Sequence, residues 1–277
     1  MANTINGYLK LLYKNYTLGL SLTSITVSSG SDDNLLDNDK DTLWESVGSD
    51  DLTTETIEYE FSVAKSIDRL LFINMNWKAF QVEYWTGSAW ADFASVYSKA
   101  GDTAESSINI TGNSDTTRYF EFTAVSTTKI KVSIDTTIAV DAQKSLGDQY
   151  IGKEIATITE DWTSDPNKFE TNFNKGEFIL VYSNMGSIKI EKGKKFYAKI
   201  RLKFVSNSAD LTALQAVLSS GECSISPCGA DGTLYSVEGW RLQDFYNCTI
   251  KGSWSGKHTK GRSKTVGYSA EFQLFEL

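Results

Sequence analysis

Short apolar–polar alternation is the feature of this 277-residue chain that most restricts its fold. Residues 56–63 read TIEYEFSV, in which Ile57, Tyr59 and Phe61 alternate with Thr and Glu. Similar runs recur along the chain, separated by turns rich in Gly, Asn, Asp and Ser. Because successive side chains of a strand point to opposite faces, such runs predict strands with one buried face. Many short strands of this kind are typical of a β-sandwich.

An uneven distribution of charge indicates two domains. Residues 1–145 carry 20 acidic and 11 basic side chains, whereas residues 146–277 carry 15 acidic and 16 basic ones. Such asymmetry between halves is expected of domains with different surfaces, and the chain length suits two domains. The pattern of strand-like runs changes near Asp141, so we predict one domain over 1–144 and a second over 145–277.

The second half contains a long hairpin and one helix. In the run FYAKIRLKFV the apolar residues alternate with a polar set, which predicts a strand with one basic, solvated face. The charged residues of that face, and the predicted assembly surface, are Lys199, Arg201 and Lys203. The stretch ADLTALQAVLSS then predicts a helix over about 209–219, with Ser208 as N-cap and Gly221 as its stop. The predicted fold class is therefore all-β, with two jelly-roll-like β-sandwiches, the second carrying one packed α-helix.

Three cysteines and one histidine leave little room for metal or redox chemistry. Cys223, Cys228 and Cys248 are odd in number, and no signal peptide precedes them, so reduced thiols are expected. Together with His258 they form a zinc ligand set on paper, but their spacing matches no zinc signature.

Enzyme, nucleic-acid and membrane functions find no support in the sequence. There is no Gly-x-Ser-x-Gly, no Walker loop and no dinucleotide fingerprint, and no carboxylate pair stands out among 35 acidic residues. A sequence pI near 4.9 argues against dedicated nucleic-acid binding. No apolar run is long enough for a membrane span. We therefore expect a non-enzymatic protein.

The order of motifs in the first half resembles the discoidin-like (galactose-binding-like, coagulation-factor C-type) domain. The matching pieces are NLLDNDKDTLW, ETIEYEFSVAKSIDRLLFI, FQVEYWTGSAWADF and TRYFEFTAV…KIKVSI, which together cover about residues 20–140. The resemblance implies an eight-stranded jelly roll. More loosely, the second half resembles β-sandwich domains of bacteriophage tail and baseplate proteins, on the hairpin and helix described above.

The aspartates of NLLDNDKDTLW suggest two alternative roles for this loop. In discoidin-like carbohydrate modules the equivalent loop holds a structural calcium through an Asp side chain, a Thr oxygen and backbone carbonyls, which the resemblance carries onto Asp37 and Thr42. Asn38 stands where the family usually has Gly. An EF-hand is excluded because the required Gly and Glu are missing. The other reading is a solvated Asp-rich turn whose side chains hydrogen-bond the local backbone, leading to Trp44 as a core anchor. Alternate aspartates in an extended segment would point to both faces, so we expect that the three do not all converge on one ion.

Sugar binding has two candidate residues in the first half. The set of one His and two Arg that some lectins of this class use is absent: residues 1–145 contain no histidine, and their two arginines, Arg69 and Arg118, lie in strand-like stretches where the resemblance implies structural roles. Trp77 and Trp85 are candidates for stacking on a sugar, although a buried core position is the alternative for each.

Two functions follow from these readings. The first is a structural virion protein of a phage-like tail or baseplate, made without a signal peptide, that forms homo-oligomers and binds other virion proteins. The alternative is a carbohydrate-binding module or adhesin that recognises a host-surface glycan. The only expected cofactor is the structural calcium ion.

Overall fold

The structure is a computed structural model and is almost entirely β. It describes residues 9–39, 41–48, 50–96, 105–158, 168–181, 187–205, 221–226, 246–260 and 265–276, with five residues between 212 and 219. The described residues divide into two compact units, of which unit 1 contains Leu12–Glu154 and unit 2 contains the strands that follow, together with 9–11. The strands that make up both units confirm the all-β prediction.

The described residues of unit 1 form nine strands and two short 3₁₀ turns, Gly19–Ser21 and Asp33–Leu35. The strands are β2 (Leu22–Val27), β3 (Trp44–Glu45), β4 (Glu55–Ile73), β5 (Trp77–Trp85), β6 (Trp90–Asp92), β7 (Ile108–Ile110), β8 (Arg118–Thr137), β9 (Ser145–Leu146) and β10 (Asp148–Gly152).

Unit 2 is built on one seven-stranded sheet of order β11-β1-β14-β15-β16-β13-β12. Its strands are β1 (Leu9–Leu12), β11 (Glu154–Ile158), β12 (Lys168–Val181), β13 (Ser187–Val205), β14 (Glu222–Ser226), β15 (Tyr246–Lys260) and β16 (Thr265–Glu276). The described residues of the predicted helix, all helical, are Thr212, Gln215, Ala216, Leu218 and Ser219.

The sandwich of unit 1 forms around two long antiparallel strands, β4 and β8. The first part of β4 pairs with 129–134 of β8, and its last part pairs with 118–127, with a register shift between Glu60 and Lys65. Strand β2 pairs with the first part of β4, whereas β10 pairs with the last part. A shift of this kind bends paired strands and increases their twist. The β4–β8 pair thus contributes to both layers of the sandwich, with β2 beside its first part and β10 beside its last part.

A single apolar core lies between the two layers. Tyr59 and Phe72, from opposite sides of the register shift in β4, belong to the same cluster of buried side chains. Trp77 packs against Phe72 with ring centroids 5.3 Å apart, and against Phe80 at 5.5 Å. The apolar residues that alternate in TIEYEFSV therefore lie on the face of β4 that points into the core.

Strands β9 and β10 extend unit 1 beyond the predicted boundary at residue 144. Leu146 pairs with Trp44, and residues 148–152 pair with the last part of β4. Asn15 holds the same edge, because its Nδ2 donates to the Gln149 carbonyl at 2.6 Å and its Oδ1 accepts the Ile151 amide at 3.1 Å. Contacts of unit 1 consequently continue to Glu154.

Trp44 has no exposed surface and lies in the core of unit 1. Its indole Nε1 donates to the Ser29 carbonyl at 3.2 Å. We expect Trp44→Ala to lower the free energy of unfolding of unit 1 by about 3–5 kcal/mol, as for other buried tryptophans. Urea denaturation followed by circular dichroism measures this loss; a loss below about 1 kcal/mol would contradict the anchoring role.

Gly30 lies against this anchor. Its φ is +79°, and a Cβ there would overlap the Glu45 carbonyl oxygen and stand 3.1 Å from the Trp44 Nε1. Gly48 has a similar φ of +67° but no heavy atom within 4 Å of such a Cβ. The two glycines therefore differ in crowding and not in backbone conformation.

We expect Gly30→Ala to destabilise the protein by about 1–3 kcal/mol more than Gly48→Ala. Both variants carry the left-handed strain of about 1–2 kcal/mol, and only the first adds overpacking. Urea midpoints of the two variants, measured side by side, test this difference. Equal losses would show that the close contact at Gly30 relaxes without cost.

Candidate functional site

The loop at residues 33–44 is a compact turn whose oxygens converge. The Thr42 hydroxyl donates to Asp37 Oδ2 at 2.5 Å and to the Asp39 carbonyl at 2.9 Å. Asn38 adopts a φ of +57°, which Asn tolerates better than most residues, so the missing Gly does not prevent the tight loop. One carboxylate, one hydroxyl and one carbonyl oxygen are thus brought together.

The predicted bonds from aspartate side chains to the local backbone are present, whereas the extended geometry expected of the alternate aspartates is wrong. The Asp39 amide donates to Asp37 Oδ1 at 2.9 Å, and the Asp41 amide donates to Asp39 Oδ1 at 3.0 Å. Asp side chains that bond the amide two residues on form local turns, which curl the chain. This curl is what brings Asp37 and Thr42 together, so alternation along a strand does not apply here.

The converging oxygens suit a calcium ion chemically, because Ca²⁺ takes carboxylate, hydroxyl and carbonyl oxygens. Beneath the loop, Gln149 Nε2 donates to the Leu35 carbonyl at 2.7 Å, while its buried Oε1 has no hydrogen-bond partner in the described part of the chain. No group of three His, Cys, Asp or Glu side chains able to hold a metal occurs among the described residues. Calcium at Asp37 and Thr42 therefore stays a prediction.

Trp77 is not a ligand-binding residue. It has no exposed surface and packs between Phe72 and Phe80 in the core. The reason is its position at the start of β5, on the same inward-facing side as the core residues. A ring buried in this way offers no face to a sugar, so the candidate role proposed for Trp77 is corrected to a structural one.

Trp85 lies on the opposite, outward side of β5 and is only partly buried. Strand β6 pairs with the end of β5, which places Trp90 directly opposite Trp85. Their ring centroids are 5.4 Å apart with planes at 65°, an edge-to-face contact. We call Trp85 and Trp90 the tryptophan pair.

A hydrogen-bonded turn over Thr86–Ala89 fixes the hairpin that carries the tryptophan pair. The Thr86 amide donates to the Ala89 carbonyl at 2.9 Å, and the Ala89 amide donates to Thr86 Oγ1 at 3.1 Å. The Thr127 hydroxyl also donates to the Trp85 carbonyl at 2.8 Å. Two aromatic side chains are therefore presented on a fixed piece of backbone, which limits the entropy lost when a ligand binds.

Polar side chains surround the tryptophan pair on the same face of the sheet. Glu83 and Asp92 form the next cross-strand pair beside it. Lys131 bonds Glu83 at 2.7 Å, and its Nζ lies 4.6 Å from the centre of the Trp90 ring. The Gln81 amide donates to the Asp92 carboxylate at 3.0 Å. We call this surface the outer face; its ionisable residues are Glu58, Glu60, Glu83, Asp92, Lys129 and Lys131.

The other lysine of the outer face is also engaged by carboxylates. Lys129 Nζ lies 3.1 Å from Glu58 and 3.1 Å from Glu60. These hydrogen bonds, chiefly the one to Glu58, raise the pKa of Lys129 above its usual value. The outer face thus combines two partly exposed aromatic rings with hydrogen-bonding groups of both charges.

Sequence reasoning found Trp85 but missed Trp90, Glu83, Asp92 and Lys131. The signal was available, since Trp85 and Trp90 flank a four-residue turn and a hairpin places such positions opposite each other. Arg69 and Arg118, considered only in the search for a sugar-binding arginine pair, are held structurally. Arg69 bonds Glu154, and Arg118 lies 3.7 Å from Asp115.

The remaining sequence candidates do not add a reactive centre in the described residues. Cys223 on β14 and Cys248 on β15 are buried cross-strand neighbours, and burial raises the pKa of the Cys223 thiol to about 12. Such a thiol is a poor nucleophile at neutral pH. Cys228 and the side chain of His258 lie outside the described residues, as do the side chains of Lys199, Arg201 and Lys203 on β13. Among described residues, no helix is long and apolar enough to cross a membrane.

Comparison with known proteins identifies structural similarity only. No family model and no curated protein matches the chain. Chitosan-binding module 1 from a Paenibacillus sp. IK-5 chitosanase/glucanase is 14% identical and has a TM-score of 0.39; it covers 50% of this chain and 98% of its own. CBM32-3 from a family 31 glycoside hydrolase of Clostridium perfringens is 13% identical with a TM-score of 0.35, and covers 48% and 91%.

A pectin-binding carbohydrate-binding module gives 16% identity and a TM-score of 0.35, with 48% of this chain and 91% of its own covered. All three are carbohydrate-binding modules that span about half of this chain. Sequence identities and TM-scores this low do not show that this chain binds the ligands of those modules. The tail or baseplate reading of the second half gains no support from them.

We expect calcium, if it binds at Asp37 and Thr42, to raise the melting temperature of the wild type relative to a chelator, because a ligand of the folded state stabilises it by mass action. Differential scanning fluorimetry with calcium and with EDTA measures the shift. Asp37→Ala should abolish the shift, whereas the charge-matched control Asp41→Ala should keep it. An unchanged melting temperature in the wild type would favour the solvated turn.

Proposed function

We propose that unit 1 is a non-catalytic carbohydrate-binding module whose ligand stacks on the tryptophan pair. The observation that carries this proposal is that Trp85 and Trp90 are partly exposed on a fixed hairpin although large aromatics contribute most when buried. Sugar rings present apolar C–H faces and a rim of hydroxyls. An aromatic surface bordered by carboxylate, amide and ammonium groups matches both features.

The polar groups at the border supply both kinds of hydrogen-bonding partner. Glu83 and Asp92 accept hydrogen bonds from hydroxyls, while the Lys131 ammonium and the Gln81 amide donate them. All four belong to neighbouring strands of one sheet, so their backbone positions are fixed. This arrangement favours specific binding of a polar, ring-shaped ligand over general adhesion to apolar surfaces.

The non-catalytic part of the proposal rests on the absence of a recognisable reaction centre in the sequence motifs. The reading as a phage tail or baseplate protein, with its virion location and homo-oligomeric assembly, stays a prediction, since no observation on the described residues favours it. A glycan-binding domain and a structural role in a particle are compatible in one protein, but only the first has a candidate site here.

A glycan array with the full chain, followed by calorimetric titration of the best ligand, tests the proposed function. We expect Trp85→Ala and Trp90→Ala each to weaken binding about 30-fold, the equivalent of about 2 kcal/mol for a central aromatic contact. Unchanged melting temperatures would show that the loss is local. The exposed-residue control Leu20→Ala, at a side chain 98% exposed, should bind like the wild type.

Two results would contradict the proposal. One is an array without any ligand for the wild type. The other is a ligand whose affinity is unchanged in both tryptophan variants, because such a ligand would bind elsewhere on the chain.

A further inference from the structure

Beside the tryptophan pair, the outer face places two carboxylates directly opposite each other. Glu83 on β5 and Asp92 on β6 are cross-strand neighbours. Like charges in this position oppose folding, so natural hairpins usually avoid them. Of these two carboxylates, Glu83 has a lysine partner, Lys131 at 2.7 Å, whereas Asp92 accepts a hydrogen bond from the neutral Gln81 amide at 3.0 Å.

The lysines of the outer face do not neutralise its carboxylates. The face has four carboxylates, Glu58, Glu60, Glu83 and Asp92, against the two lysines Lys129 and Lys131, which leaves a net charge of −2 from these six groups. Lys129 lies between Glu58 and Glu60, away from β6. Glu58, Glu60 and Lys129 account for one of these negative charges, and the other lies next to the aromatic rings, on Glu83 and Asp92 with their single lysine, Lys131.

From this arrangement we infer that the ligand class is a glycan carrying protonated amino groups, such as an oligomer of glucosamine, bound with its ring on the tryptophan pair and an ammonium group at Asp92 and Glu83. This inference rests on the proposed function. An ammonium would relieve the repulsion between the two carboxylates, whereas a uronic acid would add a third negative charge at the same place. An N-acetylated sugar would supply no charge.

The spacing along the strands supports this geometry. Trp85 and Glu83 lie two residues apart on one strand, as do Trp90 and Asp92 on the other, which is about 7 Å along each strand. Residues two apart face the same side, so rings and carboxylates share one surface. A sugar stacked on the rings therefore brings substituents of the same or the adjacent sugar unit to the carboxylates.

Lys131 competes with such a ligand. Its ammonium already bonds Glu83 and lies 4.6 Å above the Trp90 ring, the position that a ligand ammonium or sugar face would take. Because no lysine or arginine of the described residues bonds Asp92, its carboxylate is the stronger attractor for the ligand. Removal of the Lys131 charge should accordingly increase the preference for an amino sugar, while removal of the Asp92 charge should decrease it.

Three tetrasaccharides separate these ligand classes: the tetramers of glucosamine, of N-acetylglucosamine and of galacturonic acid. Binding to the full chain is measured by calorimetry at low salt and about pH 5.5, below the usual pKa of amines and above that of carboxylates. We expect the glucosamine tetramer to bind at least about fivefold more tightly than the acetylated one, as two partly exposed ion pairs allow. Added salt should reduce this preference, because it screens exposed charges.

The variants localise the effect. Asp92→Asn should bring the ratio of the two affinities close to one, and Lys131→Gln should raise it. Glu45→Gln removes one carboxylate from the exposed position of β3 and changes the overall charge equally, so it should leave the ratio unchanged. Equal loss of the ratio in Asp92→Asn and Glu45→Gln would reduce the preference to general attraction and overturn the inference.

Failure of this inference differs from failure of the proposed function. If the acetylated or the acidic tetramer binds as tightly as the glucosamine tetramer, with loss in Trp85→Ala, the ligand class is wrong and the carbohydrate-binding function stands. If no tetramer binds and the glycan array is empty, the function itself fails and this inference fails with it.

Discussion

The register shift between Glu60 and Lys65 in the β4–β8 pair is the constraint on which unit 1 depends. Strands of 19 and 20 residues would otherwise run straight beyond any single compact layer. With the shift, one strand pair serves two layers, and side chains from both of its parts meet in one core. Strands β2, β5 and β10 then extend the layers at positions that this pair has already fixed.

The positions of the tryptophans follow from this arrangement. Trp44 and Trp77 occupy inward positions next to core residues and lose all contact with solvent, whereas Trp85 occupies an outward position near the end of β5. The difference does not come from the residue type, which is the same. For Trp77 it comes from the register shifts between Trp77 and Ala79 and between Ala79 and Phe80, because on an uninterrupted strand Trp77 and Trp85, eight residues apart, would share one face. Trp85, on the outer face, has no place in the core.

Features of the fold that depend on residues close together in the chain could be predicted from the sequence, whereas features that depend on strand pairing could not. The alternation in TIEYEFSV predicted the strand, its buried face and the all-β class, because parity is a local property. The burial of Trp77 could not be read from parity, since alternation places Trp77 on the same face as Trp85, and the register shifts that turn it inward appear only in the pairing of β5 with β8. The turns of the aspartate loop were predicted, but the approach of Asp37 to Thr42 was not, because side chain–backbone bonds by Asp37 and Asp39 override the extended pattern that alternate spacing suggests. Trp90 was missed because its importance appears only when β6 is paired with β5.

The charges on the outer face lead to the same conclusion as the tryptophans. A sheet face exposed to water needs polar residues, and opposite charges across strands stabilise it, as Lys129 does with Glu58 and Glu60. If solubility and sheet stability were the only requirements, a lysine or threonine opposite Glu83 would serve better than Asp92. The two tryptophans and the two carboxylates are thus adjacent positions at which this hairpin departs from what folding alone favours, and such departures are expected where a surface binds a ligand. Since both pairs lie on the same two strands and the same face, one ligand that is apolar on its ring and cationic at its edge accounts for both.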